Sequence, residues 1–271
     1  MPFRSGLHID TRHFFINALI GLGAFLLILA IGGKVFGEQE RVLPFQPYNT
    51  NYIISGDGED QVKAQFSFKY ALVYPFEIGL YFGYTQLMIW DLYKPSSPFR
   101  ELNYNPEVFW THDFNYGALD RIQVGMYEHK SNGRDGLASR GMDRGYGEVQ
   151  LSFGSRINAG IILRGWGYYH KAGNNEDIQE YIGYGRGELF VQLLSGGTWT
   201  DRERIYVRGG TGSQIIADTP LRGWFEIGLK TRIITAYIQP SLYVQYYQGY
   251  GEYMLDYNVK QKAVRIGLMM E

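Results

Sequence analysis

The chain contains no cysteine. Disulfides and thiolate metal sites are therefore excluded, although that absence alone does not decide the compartment. Charge of one sign is also lacking. The formal net charge is −1, so no global field favours nucleic acid or another strongly charged partner. After Gly33 no apolar stretch is long enough to form a second spanning helix, so any membrane residence of the body must come from strands. Internal repeats, low-complexity tracts and interdomain linkers are missing too. A length of 271 residues then suits one domain or one barrel.

What the chain does contain is 35 Gly, 23 Tyr and 16 Phe against 9 Pro, with 20% charged residues. That balance suits neither a helical nor a disordered protein. It suits many strands with aromatic rims, where Gly relieves crowding in a curved sheet. The mean hydropathy of −0.24 argues only against helical spans, because barrel strands bring a polar residue to every second position.

Phe14 to Gly33 is uncharged and mostly apolar, and Arg4, Arg12 and His13 precede it. Residues 1–37 read either as a secretory signal cleaved near Val35-Phe36-Gly37 or as an uncleaved anchor. Both export the remainder. Residues 38–61 are the least regular and read as an N-terminal arm, with a transmembrane barrel over 62–271.

From Val62 onward, period-2 alternation recurs in segment after segment. In Tyr146 to Phe153, Val149, Leu151 and Phe153 oppose Tyr146, Glu148, Gln150 and Ser152. In Ala159 to Tyr168, Ile161 and Leu163 oppose Arg164, Trp166 and Tyr168. In Tyr184 to Leu193, Leu189 and Val191 oppose Arg186 and Glu188. The stretches Trp224 to Lys230 and Ala236 to Tyr247 behave alike. The last strand puts Val264, Ile266, Leu268 and Met270 on one side and Arg265 on the other. One face is aliphatic and smooth. The opposite face mixes Arg and Glu with Tyr and Trp, as in a packed polar lumen. The expected fold is an all-β antiparallel transmembrane barrel of about 12 strands. Arg144, Arg164, Arg186, Glu188, Glu226 and Arg265 read as a structural network in its lumen. His112 and His170 read as rim or loop residues. Gly209-Gly210-Thr211-Gly212 has no following helix and is not read as a phosphate cradle.

One loop carries candidate chemistry: Tyr127-Glu128-His129-Lys130-Ser131-Asn132-Gly133-Arg134, running on to Ser139-Arg140-Gly141-Met142-Asp143-Arg144. His129 and Ser131 are two apart, so in a strand they share a face. A neutral imidazole beside a hydroxyl is the minimum nucleophile–base pair for acyl transfer, and a third group must hold the tautomer. A hairpin centred near Gly136 sets Asp143 opposite His129. Asp143 is also in phase with Val149, Leu151 and Phe153, where a carboxylate is costly unless paired.

The run His129 to Arg134, with Ser139-Arg140 and Asp143-Arg144 behind it, resembles the active-site segment of outer-membrane phospholipase A. Further stretches agree in order: Pro44 to Tyr52; Tyr84-Thr85-Gln86 with Trp90; Ser96 to Glu101; Asn103 to Glu107; Gly249 to Glu252; and Asp256-Tyr257-Asn258. The resemblance implies a twelve-stranded barrel in the bacterial outer membrane that hydrolyses acyl esters of phospholipids and lysophospholipids. It implies dependence on Ca2+ and activation as a homodimer. By position it makes Ser131 the nucleophile, His129 the general base and the Gly133 amide an oxyanion donor. It gives calcium the Arg134 carbonyl, the Ser139 hydroxyl and Ser96 from the second subunit, with Ser97 the adjacent alternative. Gln86 falls on the dimer surface. The other reading is a catalytically silent barrel used as a pore or scaffold.

The chain departs from the family pattern in three places. Asp143 stands where the family usually has Asn, and its charge should favour imidazolium more than Asn does. Ile122, Val124 and Met126 alternate out of step with His129 and Ser131, so the site requires a bulge near Gly125. The chain ends in Glu271 where outer-membrane strands commonly end on an aromatic.

Overall fold

A computed structural model of the chain describes residues 44–56, 62–73, 78–92, 94–154, 157–193, 203–213, 222–232 and 240–270. The expected signal or anchor over 1–37, the terminal Glu271 and the first residues of the strand expected from Ala236 lie outside them.

The alternation becomes strands because each apolar side chain on one face needs lipid and each polar one on the other needs a partner. The strands are β1 (Phe45–Pro47), β2 (Asn51–Gly56), β3 (Val62–Ala71), β4 (Leu80–Trp90), β5 (Phe99–Tyr116), β6 (Leu119–Ser131), β7 (Gly141–Phe153), β8 (Ile157–Lys171), β9 (Gly185–Leu193), β10 (Glu203–Thr211), β11 (Gly223–Arg232), β12 (Ser241–Gly249) and β13 (Gln261–Met270). Strands β2 to β13 pair antiparallel with their sequence neighbours, and β13 returns to β2, closing a twelve-stranded barrel. The short β1 adds to β3 beyond the end of β2. The wall therefore starts at Asn51, inside the segment expected as an arm. Polar residues in Asn49 to Asn51 disguise that strand: Asn51 Oδ1 accepts from the Ser67 amide at 2.7 Å, and Asn49 Nδ2 donates to Thr85 at 3.0 Å.

Along β12 every second residue is buried, with Tyr243, Gln245 and Tyr247 inside and Leu242, Val244 and Tyr246 outside. On β13, Val264, Ile266, Leu268 and Met270 are exposed to the outside while Arg265 is buried. The lumen charges pair across strands: Arg144 with Glu128 at 2.5 Å, Arg164 and Arg186 with Glu148 at 2.6 and 3.4 Å, and Arg208 with Glu226 at 2.8 Å. Arg204 pairs with Glu188.

Strands β5 and β6 join through Gly117-Ala118 at one end. The other end carries segments 132–140, 172–184 and 250–260. Segment 250–260 crosses the lumen mouth. Its Met254 and Leu255 amides donate to Asn103 and Glu101 on β5. Its Glu252 meets Lys63 at 3.0 Å and Arg265 at 2.6 Å. Met142, Ile178, Met254 and Tyr257 form an apolar cluster beneath these loops.

Burial opposes the Glu252 charge, but Lys63 and then Arg265 outweigh it and hold the carboxyl below the ordinary carboxylate range. A depressed carboxylate adds stability above its unfolded pKa and loses it as pH falls through the folded value. Glu252→Gln should therefore cost about 3 kcal/mol at neutral pH, the scale for breaking a buried pair. The gap to the parent should narrow on acidification. Urea midpoints in detergent at several pH values test this, and a gap independent of pH would contradict it.

Candidate active site

The site depends on a break in strand parity. Gly125 on β6 faces Tyr146 on β7, whereas Glu128 faces Arg144, so three steps on β6 answer two on β7. On the other side Gly125 faces Phe109 and Tyr127 faces Val108. Met126 is the extra residue of a bulge. Before it, Gln123 and Gly125 are buried toward the lumen; after it, Glu128 is. His129 and Ser131 thereby join Ile122 and Val124 on the outer face. The bulge falls beside Gly125, where the sequence requires one.

A second bulge lies across β7. Asp143 faces His170 and Arg144 faces Tyr168, leaving Tyr169 as the extra residue on β8. The Tyr169 hydroxyl donates to the Met126 carbonyl at 3.1 Å. Tyr169 reaches one bulge from the other by passing over Gly145. A Cβ at Gly145 would lie 2.1 Å from that hydroxyl, so only Gly permits the link.

His129 and Asp143 are direct cross-strand partners. His129 Nδ1 lies 2.6 Å from Asp143 Oδ1, and the Tyr127 hydroxyl donates to the same oxygen at 2.9 Å. A carboxylate only accepts, so Nδ1 carries the proton and Nε2 is left as the acceptor. Ser131 is the last residue of β6, and its partner is Gly141. The strand rise leaves roughly 7 Å between the Cα atoms of His129 and Ser131, a span their side chains can bridge. The row Phe66–Gln86–Tyr104–Ser131–Gly141 runs across β3 to β7. Gln86 therefore lies on the same outer face as Ser131, two strands away, and accepts from the Tyr84 hydroxyl at 3.1 Å.

The chain then turns through Gly133, whose φ is 63°. A Cβ there would come within 2.7 Å of the Tyr104 ring. Asn132 organises the turn. Its side-chain oxygen accepts from the Arg134 and Arg140 amides at 3.3 and 3.0 Å, and its Nδ2 donates to the Ala138 carbonyl at 2.8 Å. This draws Arg134 and Ser139 to one side of a closed loop. Asn175, fully buried, bonds both the amide and the carbonyl of Gly141 at 3.0 and 3.1 Å. Ser96 and Ser97 both have positive φ in the β4–β5 turn. Ser97 donates its hydroxyl to the Leu92 carbonyl at 2.8 Å, while Ser96 is exposed. The Arg134 guanidinium bonds the Arg100 carbonyl, tying the loop to the strand that follows this turn.

Among the described residues no three His, Cys, Asp or Glu cluster as metal ligands. A cation at this loop would rest on carbonyl and hydroxyl oxygens and water, a donor set for a hard ion such as calcium rather than zinc.

The profile of the phospholipase A1 family matches residues 38–270. The chain belongs to that family. Phospholipase A1 of Salmonella typhimurium is 30% identical over 271 residues, covering 89% of this chain and 88% of the relative. A putative phospholipase A1 of Neisseria meningitidis is 30% identical over 222 residues, and there the match spans only 54% of the relative. The crystal structure of Salmonella typhi outer membrane phospholipase, a dimer with bound calcium, superposes with a TM-score of 0.68 at 28% identity. It covers 86% of this chain and 94% of that one. This phospholipase A1 barrel is thus an outer-membrane enzyme that hydrolyses carboxylic esters.

The sequence left several residues of the site unnoticed. Asn132 was visible only as a neighbour of Ser131, and nothing local marks Asn175. His170, expected at the rim or in a loop, is the next-to-last residue of β8 and faces Asp143, a partner that the sequence did not reveal. The bulge at Tyr169 that turns it outward leaves no signal in the alternation.

Gly145→Ala should displace Tyr169 and loosen both bulges while leaving the barrel folded. Turnover should fall on the order of 10- to 100-fold, the cost of a small misplacement of reacting groups. Ester release alongside heat-modifiable gel migration measures both. Full activity would show that the link between the bulges does not hold the site.

Proposed function

We propose that the outer wall around Ser131 is the catalytic site of this phospholipase. Its Ser-His-Asp arrangement cleaves acyl esters of phospholipids and lysophospholipids, with Ca2+ as cofactor and a homodimer as the active form. The observation that carries this reading is the 2.6 Å contact between His129 Nδ1 and Asp143 on the lipid-facing wall, two residues from Ser131.

Ser131 Oγ attacks the ester carbonyl and His129 Nε2 takes its proton. Asp143 holds the imidazole in the Nδ1–H tautomer and stabilises the imidazolium. The Gly133 amide donates to the developing oxyanion. The ester C–O bond then breaks, and His129 returns the proton to the leaving alkoxide. Water, deprotonated by His129, attacks the acyl-enzyme; the acyl–Oγ bond breaks, His129 returns the proton to Ser131 Oγ and the fatty acid leaves.

The Arg134 carbonyl and Ser139 hydroxyl would hold calcium, with Ser96 as the donor from a second copy of the chain. The cation supplies positive charge toward the oxyanion when bound. Gln86 supports the same assembly, because a polar amide on a lipid-facing wall gains from bonding its symmetry mate. The silent-pore reading is not favoured, since segment 250–260 fills the lumen mouth with buried ion pairs.

Purified protein in mixed micelles should release fatty acid with calcium, stop with chelator and lose roughly 10⁴-fold or more as Ser131→Ala. Turnover that survives the substitution would remove Ser131 from the chemistry. Asp143→Asn should remain active, but its pH–rate profile should differ from the parent's on the acid limb, because a formal charge beside the imidazole is lost. Superimposable profiles would mean that the charge has no catalytic effect.

A further inference from the structure

Resting on that reading, we propose that His170 and Tyr127 are positioning residues that fix the Asp143 carboxylate for His129. Two imidazoles flank one carboxylate across three adjacent strands: His129 on β6, Asp143 on β7 and His170 on β8. His129 uses Oδ1 at 2.6 Å, and His170 Nδ1 faces Oδ2 at 3.7 Å. The Tyr127 hydroxyl takes a second direction on Oδ1 at 2.9 Å. The carboxylate is thus held by two hydrogen bonds on Oδ1 and flanked by His170 at Oδ2.

The arrangement depends on both bulges. Without the bulge at Met126, His129 would point into the lumen; without that at Tyr169, His170 would. The Tyr169–Met126 hydrogen bond couples them, so the two histidines face outward together. A carboxylate on a lipid-facing wall is expensive unless its lone pairs and charge are met. His129 meets one oxygen. Tyr127 donates a further hydrogen bond and His170 stands beside the second oxygen, neither being the nucleophile. The side chain of His170 is 68% exposed, so its substitution leaves the barrel's packing intact.

A double-mutant cycle tests the assignment. His170→Ala should lower kcat roughly two- to five-fold with KM unchanged, the scale of an exposed polar contact. Tyr127→Phe should lower kcat by about ten-fold, as expected for a hydrogen bond to a charged group. In an Asp143→Asn background, His170→Ala should add no further loss, because the second carboxylate oxygen is gone. An equal loss in both backgrounds, a loss confined to KM, or no loss in the parent would overturn the positioning role. Ser131→Ala, assayed alongside, separates the readings: turnover surviving in that variant overturns the site itself, whatever the cycle gives.

Discussion

A barrel wall is one strand thick, so strand parity decides whether a side chain meets lipid or the polar lumen. The ordinary outcome of that constraint is a smooth aliphatic exterior and a charged interior, as β12 and β13 have. The proposed site needs the opposite at one place: an imidazole, a hydroxyl and a carboxylate facing outward. The chain achieves this by inserting Met126 into β6 and Tyr169 into β8. The lumen-facing ladder continues on both sides of the insertions, since Glu128 still meets Arg144 inside. Parity is changed locally without giving up the interior.

The fold was largely legible because alternation is the dominant sequence signal for such a wall. Val149, Leu151 and Phe153, and later Val264 to Met270, declare their face without help. The arm was misread because Asn49 to Asn51 is polar on both sides and its bonding partners, Ser67 and Thr85, are far away in sequence. Within the site, the phase conflict around Gly125 could be read, because Ile122 and Val124 set one rhythm and His129 and Ser131 another. The conflict at Tyr169 could not, since Gly165, Trp166, Gly167, Tyr168 and Tyr169 offer no aliphatic rhythm to violate. Asn132 and Asn175 were illegible for a different reason. Each acts by satisfying backbone groups of a loop whose shape only the folded chain reveals.

Binding sites are usually concave and mostly apolar. A cavity of about 270 Å³ does exist, lined by Tyr48, Arg164, Arg186, Arg204 and Arg208 among others, but it belongs to the lumen. Ser131 lies on the other side of the wall. Preorganisation at that surface comes instead from hydrogen bonds behind it. Asn132 closes the loop after Ser131, and Asn175 pins Gly141 opposite it.

The ion pair between Lys63 and Glu252 joins residues 189 positions apart. It links β3 to the segment before β13, across the seam at which β2 and β13 close the barrel. Among strands β2 to β13, every other pairing joins strands consecutive in sequence and can form as successive hairpins. The seam cannot form until the whole sheet has curled round, so ring closure carries the largest loop-entropy cost in the molecule. Arg265 and Glu252 are 13 residues apart and can pair before closure, whereas Lys63 reaches Glu252 as a latch only once the cylinder is complete.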